Sequence, residues 1–226
     1  MNTMRMTAWL TLAMLLPAPA AWAIDLPSVG GGRMVVPLKT WKEARFVATV
    51  RQQHDFSCGS AALATLLTHH YNTPVTEQVV FEQMYNNGDQ AKIRQQGFSL
   101  LDMQRFLATR GFRGDGFQLP LEKLIEAKLP AVVLVSDHGY NHFVVIKGAA
   151  DGRILVGDPS KGARAIPVEQ FRTMWLNKLL FVIHGYPGNV AFNLPADWRA
   201  APLAPLAQAM TPGTMITLPK FGPGDF

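Results

Sequence analysis

The sequence predicts an α+β domain in which N-terminal helices pack on a C-terminal antiparallel sheet. Apolar residues recur at helical spacing between Ser57 and Lys128, and the period then changes. From Ala131 to Gly185 they come in short continuous runs, which read as strands. Turn sequences such as "DHGYN" and "ADG" lie between these runs and favour antiparallel neighbours. The chain has 226 residues, 48% of them hydrophobic, so one sizeable core with tails is the expected organisation.

Residues 1–23 read as a signal peptide. Arg5 supplies a positive start, "TAWLTLAMLL" an apolar stretch, and Ala21-Trp22-Ala23 a small-x-small cleavage signature. The apolar stretch is too short for a comfortable membrane span, and Pro17 and Pro19 follow it. Cleavage after Ala23 would start an exported, periplasmic chain near Ile24. Residues 24–45 mix Gly, Pro and charge and read as an extended lead-in. Its "GGG" at 30–32 is expected to be a flexible linker, with self-trimming as the alternative.

A folded domain is expected over 46–185. "FVATV" (46–50) is a strand candidate. Ala61, Ala62, Leu63, Leu66 and Leu67 give the helix that starts at Ser57 an apolar face through about His70. A second helix starts near Thr76. A third spans 99–111, opened by a capping-box-like Ser99/Asp102 pair and stopped by Gly111. A fourth covers 120–128, with Pro120 at its first position. Strands follow at 131–136, 142–148 and 153–158, then a short helix at 167–175 and a last strand at 179–185. Residues 186–226 are Pro-rich and read as a loosely packed tail.

The formal net charge is +5, but Lys and Arg are scattered without a basic run or stripe, which argues against a nucleic-acid partner. No HExxH and no Cys/His ligand spacing occurs, so neither a metal nor another cofactor is implied. The single cysteine, Cys58, excludes an intramolecular disulfide and leaves a buried filler or a reactive thiol. It stands at a helix entrance, where unpaired N–H groups and the macrodipole lower a thiol pKa. Gly59, Ser60 and Ala61 beside it are small enough to let a substrate approach.

A cysteine nucleophile needs a base and a group to orient that base. Of six histidines, His69 and His70 lie about three turns along the cysteine's own helix, out of reach. His54 sits in a loop and is expected to be exposed, His138 sits in a turn, and His184 comes late in the last strand. His142 opens a strand, a rigid mount. Asp158 closes the next strand, and a short hairpin brings the outer ends of two antiparallel strands together. Cys58, His142 and Asp158 are therefore expected to meet. Gln52 and Gln53 are both candidates to donate a hydrogen bond to an oxyanion.

"QQHDFSCGSAALATLL", with "NHFVVIKG" and "VGDPS", resembles the C39 peptidase family over roughly residues 46–185. These are papain-like cysteine proteases that cut leader peptides after Gly-Gly. The resemblance implies a papain-like fold with Cys58 as nucleophile, His142 as base, Asp158 as its orienting partner and Gln52, six residues before the cysteine, at the oxyanion hole. The family often has Asp just before the cysteine; Ser57 stands there instead, with Asp55 nearby. Most familiar members are domains of ABC exporters, whereas this chain carries a secretion signal. It is in that respect similar to stand-alone members encoded with functional-amyloid secretion components. A protein or peptide substrate and secretion-system or amyloid partners are implied, with no ATP. The rival readings are a non-catalytic C39-like binding module and a Cys-His-Asp amidase or transglutaminase.

Overall fold

A computed structural model describes residues 23–27, 33–37 and 40–201. They fall in two units, residues 1–40 and 41–226. In the first, β1 (Ala23–Pro27) pairs antiparallel with β2 (Arg33–Pro37), Leu26 opposite Met34. The expected signal segment through Trp22 and the Gly30–Gly32 stretch lie outside the described residues.

The second unit opens with α1 (Trp41–Ala44). The strand expected at 46–50 is absent. Phe46, Val47 and Thr49 instead donate to carbonyls three residues back, at 3.0, 3.4 and 3.4 Å, and these turns use the donors a ladder would need. Next comes α2 (Cys58–His70), buried on nearly every side, as its Ala- and Leu-rich sequence demands. α3 (Glu77–Asn87) is capped by Thr76, and α4 (Gln90–Gln96) by Asp89. α5 (Leu100–Thr109) has the complete Ser99/Asp102 capping box.

The sheet comprises β3 (Arg113–Gln118), β4 (Ala131–Asp137), β5 (Tyr140–Ala150), β6 (Arg153–Asp158), β7 (Gly162–Pro167) and β8 (Leu179–His184). Their order is β3-β8-β4-β5-β6-β7, antiparallel at every junction. α6 (Leu121–Ala127) precedes β4, and α7 (Val168–Met174) precedes β8. The turns His138-Gly139 and Asp151-Gly152 have positive φ at both central residues, the condition for tight hairpins that match strand twist. β3 and β7, absent from the sequence-based expectation, are the two edge strands. Their "RGDGFQ" and "GARAIP" sequences lack the apolar runs of central strands.

Side chains alternate across β5. Phe143 and Val145 join α2 and α5 in one core, and Val144 and Ile146 join α6 and α7 in the other. The sheet is thus clamped between helices, and its β5–β6 ends are held against the start of α2.

Residues 186–201 are not a loose tail. Tyr186 donates to the Tyr71 carbonyl at 3.0 Å, Ala191 N–H to His70 at 2.9 Å, and Asn193 N–H to Lys147 at 2.8 Å. α8 (Pro195–Ala200) then brings Asp197 within 3.0 Å of the Lys147 ammonium. Both groups are buried, and a buried ammonium requires such a partner.

Candidate active site

Cys58 is the first residue of α2. The loop before it is fastened locally. Ser57 Oγ accepts from His54 N–H at 3.1 Å and donates to the His54 carbonyl at 3.0 Å. Ser60 donates to Ser57 O and to Glu77, each at 2.8 Å. The small residues after the cysteine serve packing rather than substrate access. A Cβ on Gly59 would lie 2.9 Å from Met103 Cε and 3.0 Å from Phe98 Cβ, and Ser60 and Ala61 are fully buried.

His142 lies near the start of β5, opposite Val135, and Asp158 ends β6. The His142 Nε2 to Asp158 Oδ2 distance is 3.1 Å, with both side chains buried. Asp158 is also gripped on Oδ1 by Ser160 N–H at 2.9 Å, Ser160 Oγ at 2.7 Å and Lys161 N–H at 3.1 Å. Burial alone would raise its pKa. The bond and charge of His142, with the Ser160 donors, outweigh burial and hold it below the usual carboxylate range. With Nε2 committed to Asp158, Nδ1 is the nitrogen left for proton exchange. The contact from Nδ1 to Tyr140 O, 3.5 Å, is too long to bind it firmly.

The Cys58 sulfur lies beside the strand that carries this pair. Backbone N–H groups of Phe143, the residue after His142, of Gly59 and of Cys58 itself act on it. They do not lower its pKa overall. Burial, the largest effect, pushes the thiol up, and the Asp158 charge adds to it. The lowered pKa expected at a helix start is therefore overturned: at 7% exposure, desolvation exceeds the pull of the N–H groups.

Of the two glutamines, only Gln52 is drawn into this site. Its backbone N–H donates to Pro159 O at 3.1 Å and its side-chain amide to His54 O at 3.0 Å, while Gln53 is exposed. Gln52 Oε1 is buried without a partner. Tyr140, which the sequence reading passed over, also belongs here. Its ring stacks on His142 with centres 5.3 Å apart, and its hydroxyl donates to Asp55 O at 2.8 Å. Burial and the nearness of Cys58 push the phenol up, while a bond from Gln52 draws it back. The signal was strand alternation, since residues two apart share a face.

The remaining histidines lie elsewhere. His54 is exposed but stacks near Phe56 and Phe81, at 5.7 and 5.1 Å. His138 is an exposed turn residue beside Asp137. His70 is buried against Ala191 O at 2.7 Å. His184 forms a 2.5 Å surface pair with Asp115, with no nucleophile among its contacts.

A lone cysteine at a helix start, set against a strand-borne His–Asp pair in an α+β fold, defines the class: a cysteine peptidase. The chain belongs to the peptidase C39 family, whose match spans residues 47–185. It is 38% identical over 156 residues to the probable functional amyloid protease FapD of Pseudomonas aeruginosa, covering 69% of each chain. It is 39% identical over 181 residues to the protein of the same description from Pseudomonas fluorescens, covering 79% of each. Among solved structures, the peptidase domain of Streptococcus ComA, a bi-functional ABC transporter, superposes with a TM-score of 0.50. It covers 60% of this chain and 96% of that domain at 21% identity, a likeness of fold.

Proposed function

We propose that the protein is an exported cysteine endopeptidase with Cys58 as nucleophile, His142 as base, Asp158 as the group that orients it and Gln52 at the oxyanion hole. The observation that carries this is the buried 3.1 Å His142–Asp158 bond beside the first residue of α2. With Nε2–H donated to Asp158, the Nδ1 lone pair takes the Cys58 proton as sulfur attacks the scissile carbonyl carbon. The oxyanion is met by the Cys58 N–H and a Gln52 amide N–H. Collapse breaks the C–N bond, the imidazolium protonates the leaving amine, and the acyl group stays on sulfur. Water, deprotonated by His142, then releases the second product and restores the thiol.

The substrate in this reading is a secreted protein or its leader, cut after Gly-Gly, and functional-amyloid components are the favoured class. The two Pseudomonas relatives support that class by their description, and the N-terminal apolar stretch before Ala21-Trp22-Ala23 supports periplasmic action. The test is incubation of wild type and Cys58→Ala with co-secreted amyloid components, followed by peptide mapping. New termini after Gly-Gly are expected with wild type only. Equal cleavage by Cys58→Ala would overturn the nucleophile, and cuts confined to other sequences would overturn the specificity.

A further inference from the structure

Beside the proposed site lies a cavity that the bond-breaking chemistry does not use. Its volume is about 550 Å³, and Lys42, Arg45, Phe46, Ser160, Lys161 and Arg164 line it. Four of these six side chains are cations, and no carboxylate lines the wall. Arg51 adds another cation close by, its guanidinium 5.5 Å from the centre of the Phe46 ring. Two carboxylates stand behind the wall. Asp137 takes Lys161 at 2.6 Å and Arg164 at 2.8 Å, and Arg164 also reaches Asp158 at 3.2 Å. Asp158 is already engaged by His142. Lys42 and Arg45 are exposed and have no ion-pair partner among the described residues. Positive charge is therefore in clear excess around the cavity.

The cavity is held in shape by the backbone. Ala163 N–H donates to Arg45 O at 2.8 Å. Gly162, at φ +80, passes so close that a Cβ there would sit 2.5 Å from Arg45 Cβ. The cavity also shares a wall with the active site: Pro159 O accepts the Gln52 N–H at 3.1 Å, and Ser160, next in the chain, lines the cavity. Ser160 follows Asp158 by two residues, a reach of at most about 7 Å of chain. An extended substrate rises about 3.3 Å per residue. The cavity thus lies within the reach of a few extended residues of a chain held at Cys58.

We propose that this cavity is a subsite for an acidic side chain of the polypeptide substrate, an aspartate or glutamate a few residues from the bond that is cut. The proposal rests on the peptidase reading above, and its test separates the two. Two labelled synthetic peptides share one Gly-Gly core, flanked on both sides by Glu in one and by Gln in the other. Binding is measured by fluorescence anisotropy to Cys58→Ala protein, with and without the added pair Lys42→Glu and Arg45→Glu, and circular dichroism checks the fold. The Glu peptide is expected to bind about five- to tenfold tighter than the Gln peptide. That preference should shrink between about 0.05 and about 0.5 M salt and fall to about one in the charge-reversed protein. Equal binding of the two peptides, or a preference that survives charge reversal, would overturn the subsite. Cleavage by the wild-type chain is read in parallel. Charge-selective binding without cleavage would keep the subsite and refute the peptidase reading, and cleavage without charge selectivity would do the reverse.

Discussion

β5 carries two buried base–carboxylate pairs five residues apart, and they serve opposite ends. His142 meets Asp158 at 3.1 Å, and Lys147 meets Asp197 at 3.0 Å. All four side chains are buried. The Lys147 ammonium is closed, held by Asp197 and by the Ala48 carbonyl at 2.6 Å. Burial lowers its pKa, and Asp197 works against that shift. His142 is left open: one nitrogen is committed to Asp158, and no firm acceptor holds the other. A buried ion pair does not by itself mark chemistry. What distinguishes the β5 start is an imidazole nitrogen without a firm acceptor, on the strand that lies beside Cys58. What distinguishes the Lys147 position is a chain segment, residues 186–201, that the pair fastens to the sheet.

The sharpest way to break this contrast is to remove each base partner in turn. His142→Ala should lower kcat by about 10²–10⁴, the range for loss of a general base. The fold should persist, because Asp158 keeps its bonds to Ser160, Lys161 and Arg164. Steady-state kinetics with thermal unfolding would show this. A collapse in stability with activity per folded molecule unchanged would move His142 to the structural side.

Asp197→Ala should do the opposite. It strands a buried ammonium, at a cost of about 3–5 kcal/mol. Urea unfolding should show that loss, while kcat per folded molecule stays at the wild-type value. The double change Lys147→Met with Asp197→Leu should recover most of it, because a well-packed apolar pair can replace a buried ion pair at little cost. If the double variant stays as unstable as the single one, the ion pair itself, and not an unmatched charge, fastens this segment.

The two pairs were unequally legible in the sequence. Strands 131–137, 140–150 and 153–158 are apolar runs closed by two-residue turns, so their register could be reasoned out, and with it the approach of His142 to Asp158. The Ser99/Asp102 cap was equally plain, because a cap is a local device. Lys147 carries no such local signal, since its partner Asp197 comes fifty residues later in a polar, Pro-rich stretch. The edge strands β3 and β7 carry glycines and charges and lack the central pattern. "FVATV" has strand-forming residues, but its N–H groups close local turns instead. The thiol pKa failed for a different reason. Position at a helix start can be read from sequence, but the depth at which neighbours bury the sulfur cannot.

His70 lies near the Lys147–Asp197 pair, and burial drives its pKa down to about 4, with Lys147 in the same sense and Ala191 O and Asp197 opposed. The folded state therefore holds His70 neutral. Between the unfolded value of 6.5 and the folded value of about 4 the unfolded chain binds more protons. Stability conferred by the neutral ring is full above that window and is lost as pH falls through it. Urea midpoints measured across the window should fall with acid in the wild type and fall less in His70→Gln. Parallel slopes would mean that other groups set the acid sensitivity of this region.

The smallest expected effect probes the open pair. Tyr140 lays its ring on His142 and anchors its hydroxyl on Asp55 O, close to Gln52. Tyr140→Phe keeps the ring and loses the hydroxyl, so kcat/KM should drop about three- to tenfold, one hydrogen bond's worth. Tyr140→Ala removes the stacking as well and should drop it further, because the imidazole loses the ring that packs on its face. Two equal losses would assign the whole effect to the hydroxyl and its hold on Gln52. Two unchanged enzymes would show that Asp158 alone orients the ring, leaving the start of β5 with one orienting contact, as Lys147 has one counter-ion.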